Sequence, residues 1–472
     1  MINKTGDELD YLDLTEIHAR LVYGELSSVE FTQRCVDRIA KIDPELNAVI
    51  AIDHTALDQA TRSDQRHTHG DDLGPLDGIP VLVKDNIDTA HLASTSGSKL
   101  LAGAAPSRDA DVVTRLRAAG AIVLGKTNLS EWSNFRSTYA TEGWSAVGGQ
   151  THNPYRRDHS PWGSSAGSAV AVAAGLAPLA LGTETDGSIV GPAGVCGVVG
   201  VKPEFGLSSL RGVAGVSSAI DSVGPFASRV RDAAMCLAVL ADQPDLASPI
   251  VPMGGCRVGL WRPAGLRRDV AALLISVAEA LADAGVEVVD IELAVPDEIV
   301  ADGMFALYSE FRGTIEDYLR ERGGVPASLP DLIAANHADP DELALFGQDL
   351  FERVAGLSGA SVPAARAARE RARNQARAVL DDVLRDNDIR VIVAPTNEPA
   401  WPIDYRNGDS GRLSTSTLPA LAGRANISLP AGLVDGLPVG MSVFGPATVA
   451  NLLGVAVLIE RSLGPRPWPD LV

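Results

Sequence analysis

The sequence predicts an α/β fold in which a large, mostly parallel β-sheet is covered on both faces by α-helices. Short apolar runs rich in β-branched residues recur along the 472-residue chain, as is typical of strands buried on both faces. Stretches with helical periodicity separate several of these runs. No fixed-period repeat or long low-complexity tract interrupts this alternation, so we expect helices and sheet to form packed layers.

The elements follow in chain order. Ser27 and Glu30 form an S-x-x-E capping box that predicts a helix through FTQRCVDRIAKI, and Asp43-Pro44 ends it. The predicted strands are residues 48–52, 79–83, 121–125, 177–181, 198–201, 258–261, 286–291 and 390–395, with a further short strand at 438–445. The main intervening helices are DVVTRLRAAG, AALLISVAEALADAG and ARAARERARNQARAVLDDVLRD.

A single domain over residues 1–472 is expected. Residues 241–256 contain Pro, Gly and Ser and form the best candidate boundary, but this segment is short. The region at about residues 295–385 is predicted to be helical and more variable than the rest of the chain. A large chain of this kind buries enough apolar surface to need no stabilising metal or disulfide.

The composition excludes several classes of function. The chain carries 60 acidic and 40 basic residues, a formal net charge of −20, which repels nucleic acids and anionic membrane surfaces. Apolar residues make up 46% and charged residues 21%, as in globular enzymes. No window approaches 18 uninterrupted apolar residues, so no membrane span is expected. The acidic N-terminal segment lacks the features of an export signal, and a cytoplasmic location is therefore expected.

The cysteines and histidines indicate neither a metal site nor a catalytic thiol. Cys35, Cys196, Cys236 and Cys256 are scattered without C-x-x-C spacing and are predicted to be small buried apolar residues in a reducing compartment. The HTH triplet at residues 67–69 is expected in a solvated polar loop. No histidine has further ligands at a suitable spacing, so no metal or other cofactor is expected.

Residues 120–127, GAIVLGKT, match the G-x-x-x-x-G-K-T pattern of phosphate-binding loops. In such a loop the residues between the two glycines form a flexible cradle of backbone N–H groups after a strand. Here those residues are Ala-Ile-Val-Leu, which themselves read as a strand. We therefore favour a strand followed by a turn, and keep nucleotide binding as an alternative.

Three polar residues occur where catalytic groups are often found. Ser188 lies in GTETDGSIVGPA, a sharp glycine turn after an apolar strand, which is how many hydrolases present a nucleophile. No histidine lies nearby to take its proton. Ser164 lies in SPWGSSAGS, where hydroxyls and backbone N–H groups gather at the start of a helix. Lys84 ends the strand in GIPVLVKDNID and is either a structural lysine or one whose burial makes it neutral and basic.

Together these three motifs resemble the amidase signature family, and the T-E-T-D-G-S-I form is most similar to its peptide amidase-like branch. The resemblance continues through GKTNLSEWSNFRS, CGVVGVKP, VAPTNEPAWPID and NISLPAGLVDGLPVGMSVFG, and so covers most of the chain. It implies the family's large mixed, mostly parallel sheet with helices on both faces and a signature core at about residues 75–230. It also implies amide hydrolysis by a Ser-cisSer-Lys triad without a cofactor.

The resemblance assigns a role to each motif residue. Ser188 corresponds to the nucleophile, Ser164 to the serine that follows a cis peptide bond, and Lys84 to the base. The two serines are 24 residues apart, the spacing usual in the family. In the implied mechanism Ser188 gives its proton through Ser164 to neutral Lys84 and then attacks the amide carbonyl. For this to operate near neutral pH, the pKa of Lys84 must fall by roughly 3 units, which burial can achieve.

The same resemblance identifies supporting groups. The backbone N–H groups of Thr185, Asp186, Gly187 and Ser188 correspond to the family's oxyanion hole, which stabilises the charge that develops on the carbonyl oxygen. Gly163 and Ser165 flank the cis-serine and are expected to support it.

The chain departs from the family pattern at four positions around the site. Asp186 stands where many members have glycine, and its charge opposes an oxyanion unless the carboxylate points away or is hydrogen-bonded. Val190 replaces an arginine that binds a substrate carboxylate in some relatives, so a neutral or apolar acyl group is predicted. Trp162 and Ala166 replace smaller or hydroxylated residues and change the shape of the pocket.

The loops near Ser133 and Asp404 are also expected to line the substrate pocket. The favoured function is hydrolysis of a small neutral amide, with a homo-oligomer left open. The alternatives are the amidase component of a tRNA-dependent amidotransferase, a nucleotide-binding protein that uses residues 120–127, and an inactive binding protein on the same fold.

Overall fold

The computed structural model describes residues 12–248, 257–323, 326–357, 359–409 and 413–471. Within these ranges an eleven-stranded sheet runs in the order β1-β3-β2-β6-β8-β7-β12-β13-β11-β9-β10. Its strands are β1 Val49–Ile52, β2 Pro80–Lys84, β3 Ile122–Thr127, β6 Leu179–Glu184, β7 Val199–Lys202, β8 Ser222–Ala227, β9 Arg257–Trp261, β10 Glu287–Ile291, β11 Val391–Pro395, β12 Asn426–Val434 and β13 Leu437–Phe444. A separate two-stranded ribbon pairs β4 Trp144–Ser145 with β5 Gly149–Gln150.

The sheet is mixed, and its parallel pairs form two groups. Strands β3, β2 and β6 are parallel neighbours, and so are β11, β9 and β10. All other neighbouring pairs, including those in the middle of the sheet, are antiparallel. Parallel pairing is thus less widespread than the sequence predicts. For one antiparallel pair the reason is a short connection: β12 and β13 are joined by Asp435-Gly436, both at positive φ, and a two-residue turn permits only an antiparallel hairpin.

Helices cover the sheet and begin and end as the local sequence dictates. The α-helices are α1 Leu14–Val22, α2 Ser28–Ile42, α3 Ala56–His69, α4 Asp111–Ala118, α5 Ala166–Ala173, α6 Val190–Cys196, α7 Val230–Ala241, α8 Arg268–Asp283, α9 Asp297–Arg322, α10 Leu329–Ala338, α11 Asp349–Ala355, α12 Val362–Asp386, α13 Thr417–Ala422 and α14 Val449–Leu463. The predicted capping box of α2 forms: Ser27 Oγ accepts from Glu30 N at 3.1 Å, and Glu30 Oε2 accepts from Ser27 N at 2.9 Å. The region predicted to be helical contains α9 to α12.

Strand β11 shows that both faces of the sheet are buried. Val391 and Val393 belong to the main apolar core. Their neighbours Ile392 and Ala394 point to the other face and join a second core with residues of α12 and α13. A third core links α9 and α11 to the loop that follows β3. The fully apolar strands that indicated a covered sheet therefore have partners on both sides.

Several local predictions need correction. Strands β8 and β12 were not predicted, since Pro225 lies inside β8, and Pro430 lies at a bulge in β12. The HTH triplet is not in a loop but forms the last turn of α3. Cys35, Cys196 and Cys236 are buried as expected, whereas Cys256 lies outside the described residues. Among the helices that the structure describes, none is long and apolar enough to cross a membrane.

Candidate active site

Two neighbouring parallel strands bring the candidate catalytic residues together. Lys84 is the last residue of β2, and Thr183 lies near the carboxyl end of β6. The register pairs Val83 with Leu181, and parallel strands end at the same edge of a sheet. The turn that carries Ser188 follows β6 directly, so residues about a hundred positions apart in the sequence meet at this edge.

Lys84 and Ser164 are in direct contact. Lys84 Nζ donates to Ser164 Oγ at 2.7 Å, and the lysine side chain is fully buried. The peptide bond between Gly163 and Ser164 is cis. A Cβ atom at position 163 would overlap the side chains of Ser130 and Glu142, so only glycine fits there.

A second hydroxyl fixes the ammonium group of Lys84. Lys84 Nζ lies 2.8 Å from Thr183 Oγ1 and 3.3 Å from the Thr183 carbonyl oxygen. Asn86 Nδ2 donates to the same Oγ1 at 3.0 Å. Burial lowers the pKa of Lys84 to about 7, while the negative charges of Asp221, Glu142 and Glu184 oppose this effect. Near neutral pH a large fraction of Lys84 is therefore unprotonated and able to act as a base.

Hydrogen bonds hold the turn from Thr185 to Ser188 against the cis-serine motif. Ser165 N donates to the Ser188 carbonyl oxygen at 3.2 Å, and Ser165 Oγ donates to the Thr183 carbonyl oxygen at 3.0 Å. Thr185 Oγ1 donates to the buried carboxylate of Asp221 at 2.6 Å. Ser165 thus links the cis-serine motif to β6 and to the turn, and its supporting role stays a prediction. Asp221 is a further contact of the turn that the sequence did not reveal.

Glu184 anchors the start of the helix behind the nucleophile candidate. Its Oε2 accepts from the backbone N–H groups of Ile189 at 2.7 Å and Val190 at 2.9 Å, at the N-terminal end of α6. Burial raises the pKa of Glu184, and the nearby buried Lys202 opposes that shift. The sequence shows that Glu184 precedes the turn, but only the fold shows that its carboxylate contacts these two N–H groups.

The side chain of Asp186 is hydrogen-bonded. A hydrogen-bonded carboxylate is one of the two conditions, named above, under which a negative charge at this position is compatible with an oxyanion hole. Ser416 Oγ, at the start of α13, donates to Asp186 Oδ1. The residue lies on the exposed side of the turn. Gly187 has φ +83°, a value that favours glycine at the sharpest point of this turn.

The three predicted pocket residues have different positions. Ser133 lies beside the site, since Asn86 Nδ2 approaches its Oγ at 3.4 Å. Val190 is only 1% exposed and introduces no charge. Asp404 accepts from the backbone N–H groups of Arg406 and Asn407 in its own loop, and its described contacts are local. The role of Asp404 in the pocket stays a prediction.

Residues 120–127 do not form a phosphate-binding loop. Gly125, Lys126 and Thr127 belong to strand β3, and Lys126 is fully buried. Its Nζ donates to the Ile87 carbonyl oxygen and to Ser94 Oγ, and it lies 3.9 Å from Asp85. The Lys126 ammonium group is buried and bound to groups of the protein, so it is not available to a phosphate. This removes the basis of the nucleotide-binding alternative.

The fold and this candidate site point to an amide hydrolase, and comparisons with known proteins agree. Residues 30–453 match the family described as Amidase. The crystal structure of native peptide amidase from Stenotrophomonas maltophilia superimposes with a TM-score of 0.92 at 41% identity, covering 98% of this chain and 99% of that one.

Relatives known by sequence include an amidase and an amidotransferase subunit. A probable amidase of Arabidopsis thaliana is 34% identical over 96% of this chain and 90% of its own length. One subunit of the glutamyl-tRNA(Gln) amidotransferase of Salinispora arenicola is 33% identical over 98% of this chain and 100% of its own length. The chain belongs to the Amidase family and is an amide hydrolase of the amidase signature type.

Proposed function

We propose that the protein hydrolyses the C–N bond of neutral carboxamides, with Ser188 as nucleophile, Ser164 as proton relay and Lys84 as base. The observation that carries this proposal is the 2.7 Å contact between a fully buried Lys84 and Ser164, beside the turn that presents Ser188. The products are a carboxylic acid and ammonia or an amine.

The proposed proton path runs from Ser188 through Ser164 to Lys84. Neutral Lys84 accepts the hydroxyl proton of Ser164, which in turn accepts the proton of Ser188, and Ser188 Oγ forms a bond to the carbonyl carbon. When the tetrahedral intermediate collapses, the C–N bond breaks and the proton returns through Ser164 to the leaving nitrogen. A water molecule then attacks the ester carbonyl, gives one proton back to Ser188, and releases the carboxylic acid.

The turn before Ser188 supports an oxyanion hole. In the described residues, the backbone N–H groups of Asp186, Gly187 and Ser188 have no hydrogen-bond partner within the protein. Donors left open beside a nucleophile stabilise the charge that appears on the carbonyl oxygen, because they are fixed before the reaction begins. We assign this role to the backbone from Thr185 to Ser188.

The proposed substrates are amides without an acyl carboxylate, and C-terminal peptide amides are the first class to examine. Val190 offers no positive charge to hold a carboxylate. The 41% identity to peptide amidase over nearly the full chain favours peptide amides over other neutral amides. A peptide amidase of the same identity has been crystallised with the competitive inhibitor chymostatin, so chymostatin is a suitable probe here.

A panel of amides tests this proposal. Ammonia release is measured with a C-terminal peptide amide, an alkyl amide, an aryl amide and a malonamate-like acid, for the wild type and Ser188→Ala. We expect release from the neutral amides and a fall of at least about 10³-fold in Ser188→Ala, as when a triad nucleophile is removed. Equal release by both proteins would exclude Ser188 as nucleophile, and efficient use of the malonamate alone would contradict the predicted acyl preference.

A role within an amidotransferase complex is the second candidate, since several relatives of 33–35% identity are named as amidotransferase subunits. Asp186 and Val190, where glycine and arginine are common, count against it. Co-purification of a second protein together with glutamine-dependent ammonia transfer would favour this candidate over the simple hydrolase.

A further inference from the structure

A cluster of metal-ligating side chains lies outside the candidate active site, where α1 meets the end of α3. His67 is in the last turn of α3, and Asp72 and Asp77 lie in the segment between α3 and β2. His18 projects from α1 onto the same group, with its ring centroid 6.2 Å from that of His67. The proposed amidase mechanism uses none of these residues.

The ligand atoms of the cluster lie near one another, although farther apart than in a metal-bound site. One ligand atom from each of His67, Asp72 and Asp77 lies within 4.8 Å of the others. His18 Nε2 is 3.2 Å from Asp72 Oδ2, and His67 Nδ1 is 3.9 Å from Asp72 Oδ1. Zn–N bonds of about 2.0–2.1 Å in a tetrahedral site place ligand atoms about 3.3 Å apart. Metal binding at this site therefore requires side-chain movements that bring the imidazoles of His18 and His67 closer to each other and to Asp72.

The imidazole of His67 points independently to a ligand. Its side chain is only 5% exposed, yet neither Nδ1 nor Nε2 forms a hydrogen bond with the described residues. A buried polar group without a partner costs roughly 1–3 kcal/mol, so such groups in folded proteins generally have a ligand or a specific role. Asp72 is 29% and His18 22% exposed, which leaves the site open to solvent on one side.

The two carboxylates of the cluster have different partners. Arg66 pairs with Asp77, which also accepts from Ser63 Oγ and Leu73 N. Asp77 is therefore largely neutralised within the protein. Asp72 faces both histidines and is the carboxylate available to a cation. Two imidazoles with one carboxylate and a solvent-facing position are a ligand set that suits zinc and similar divalent transition metals.

We propose that His18, His67 and Asp72, with Asp77 behind them, form a binding site for one divalent transition-metal ion, with Zn²⁺ as the first candidate. The ion would connect α1 to the end of α3, so that binding fastens the N-terminal helix to the rest of the molecule. The proposal does not depend on the substrate class or on the assignment of Ser188.

Zinc binding by the full chain tests the proposal. The protein, freed of any affinity tag and of metals by chelation, is titrated with Zn²⁺ by calorimetry, and its thermal unfolding is followed with and without Zn²⁺. We expect one ion per chain, a higher unfolding temperature with Zn²⁺, and at least about tenfold weaker binding in His67→Ala and Asp72→Asn. The matched control is His69→Ala, which removes an exposed histidine two residues away on the same helix and is expected to bind as the wild type does.

The variants separate metal binding from folding. Unfolding temperatures without zinc show whether each variant is folded, and Asp72→Asn keeps the size of the side chain. His18→Ala is expected to weaken binding as well, since it removes the ligand from α1. Absence of saturable binding, or equal affinity in the wild type and His67→Ala, would overturn the proposal.

Discussion

At the scale of single residues, burial determines the chemistry of Lys84. The side chain ends a strand and is enclosed by the fold, and desolvation lowers its pKa to about 7 against the raising effects of Asp221, Glu142 and Glu184. Thr183 and Ser164 accept hydrogen bonds from its ammonium group when it is protonated. The same contacts keep the amine beside Ser164 once it is neutral, so the proposed base is in position without a histidine.

The pH dependence of catalysis follows from this pKa. Below about 7 Lys84 is protonated in the folded protein and cannot accept a proton, whereas above that value it is neutral. We therefore expect kcat/KM for a neutral amide to rise about tenfold per pH unit on the acid side and to reach a plateau above about pH 7–8. A rate that stays constant from about pH 5.5 to 8, in protein shown to be folded, would contradict Lys84 as the base.

Thr183 is expected to be a positioning residue for Lys84. Thr183→Val keeps the shape but removes the hydroxyl that contacts Lys84 Nζ at 2.8 Å and Asn86 Nδ2 at 3.0 Å. Loss of this contact should lower kcat by about 10- to 100-fold, because small displacements of a catalytic group are costly, and should shift the acid limb of the pH profile. Thr183→Ser restores the hydroxyl and is expected to recover most of the rate. An unchanged pH profile in Thr183→Val would indicate that the residue only packs.

At the scale of elements, the carboxyl ends of β2 and β6 determine where the site lies. Parallel neighbours place Lys84 and Thr183 at one edge of the sheet, and the turn after β6 carries Ser188. Close approach of the strands depends on small residues: Gly125 in β3 faces the backbone of Ala51 in β1, and a Cβ atom there would overlap the Ala51 carbonyl oxygen. The edge strand β1 can pair only because position 125 lacks a side chain.

Gly125→Ala tests this element-level constraint. The added methyl group has to displace backbone, so we expect a loss of about 1–3 kcal/mol in the free energy of unfolding. The measurement is urea denaturation followed by circular dichroism. Gly103→Ala is the matched control, since a Cβ atom at that exposed glycine meets no atom within 4 Å. Equal stability of the two variants would show that β1 adjusts without cost.

At the scale of the whole molecule, one sheet links the motifs of the N-terminal half to the C-terminal strands. β7, close to the strands that carry the site, pairs with β12 from the far end of the chain. Through Ser416 the C-terminal part also reaches the turn of Ser188, because that hydroxyl binds Asp186. The helices α9 to α12 add further cores beside the sheet.

Much of this architecture could be predicted because it depends on local patterns. Apolar runs located nine of the eleven strands of the main sheet, and a capping box located the start of α2. β8 and β12 were missed because each has a proline in its interior, which argues locally against a strand, whereas the prolines of the predicted strands lie at or next to an end. The HTH triplet was misplaced because nothing in a short polar segment shows whether a helix ends before or after it.

The sequence by itself determined the class of protein, because the residues of the three motifs and their order along the chain can be recognised without a structure. Only the tertiary structure decided which groups touch. Three of these contacts join residues that are distant in the chain: Thr183 with Lys84, Thr185 with Asp221, and Asp186 with Ser416. The same holds for His18 and His67, whose spacing in the sequence resembles no metal motif. Contacts of this kind depend on sheet order and helix packing, and burial, which shifts the pKa of Lys84, exists only once the chain is folded.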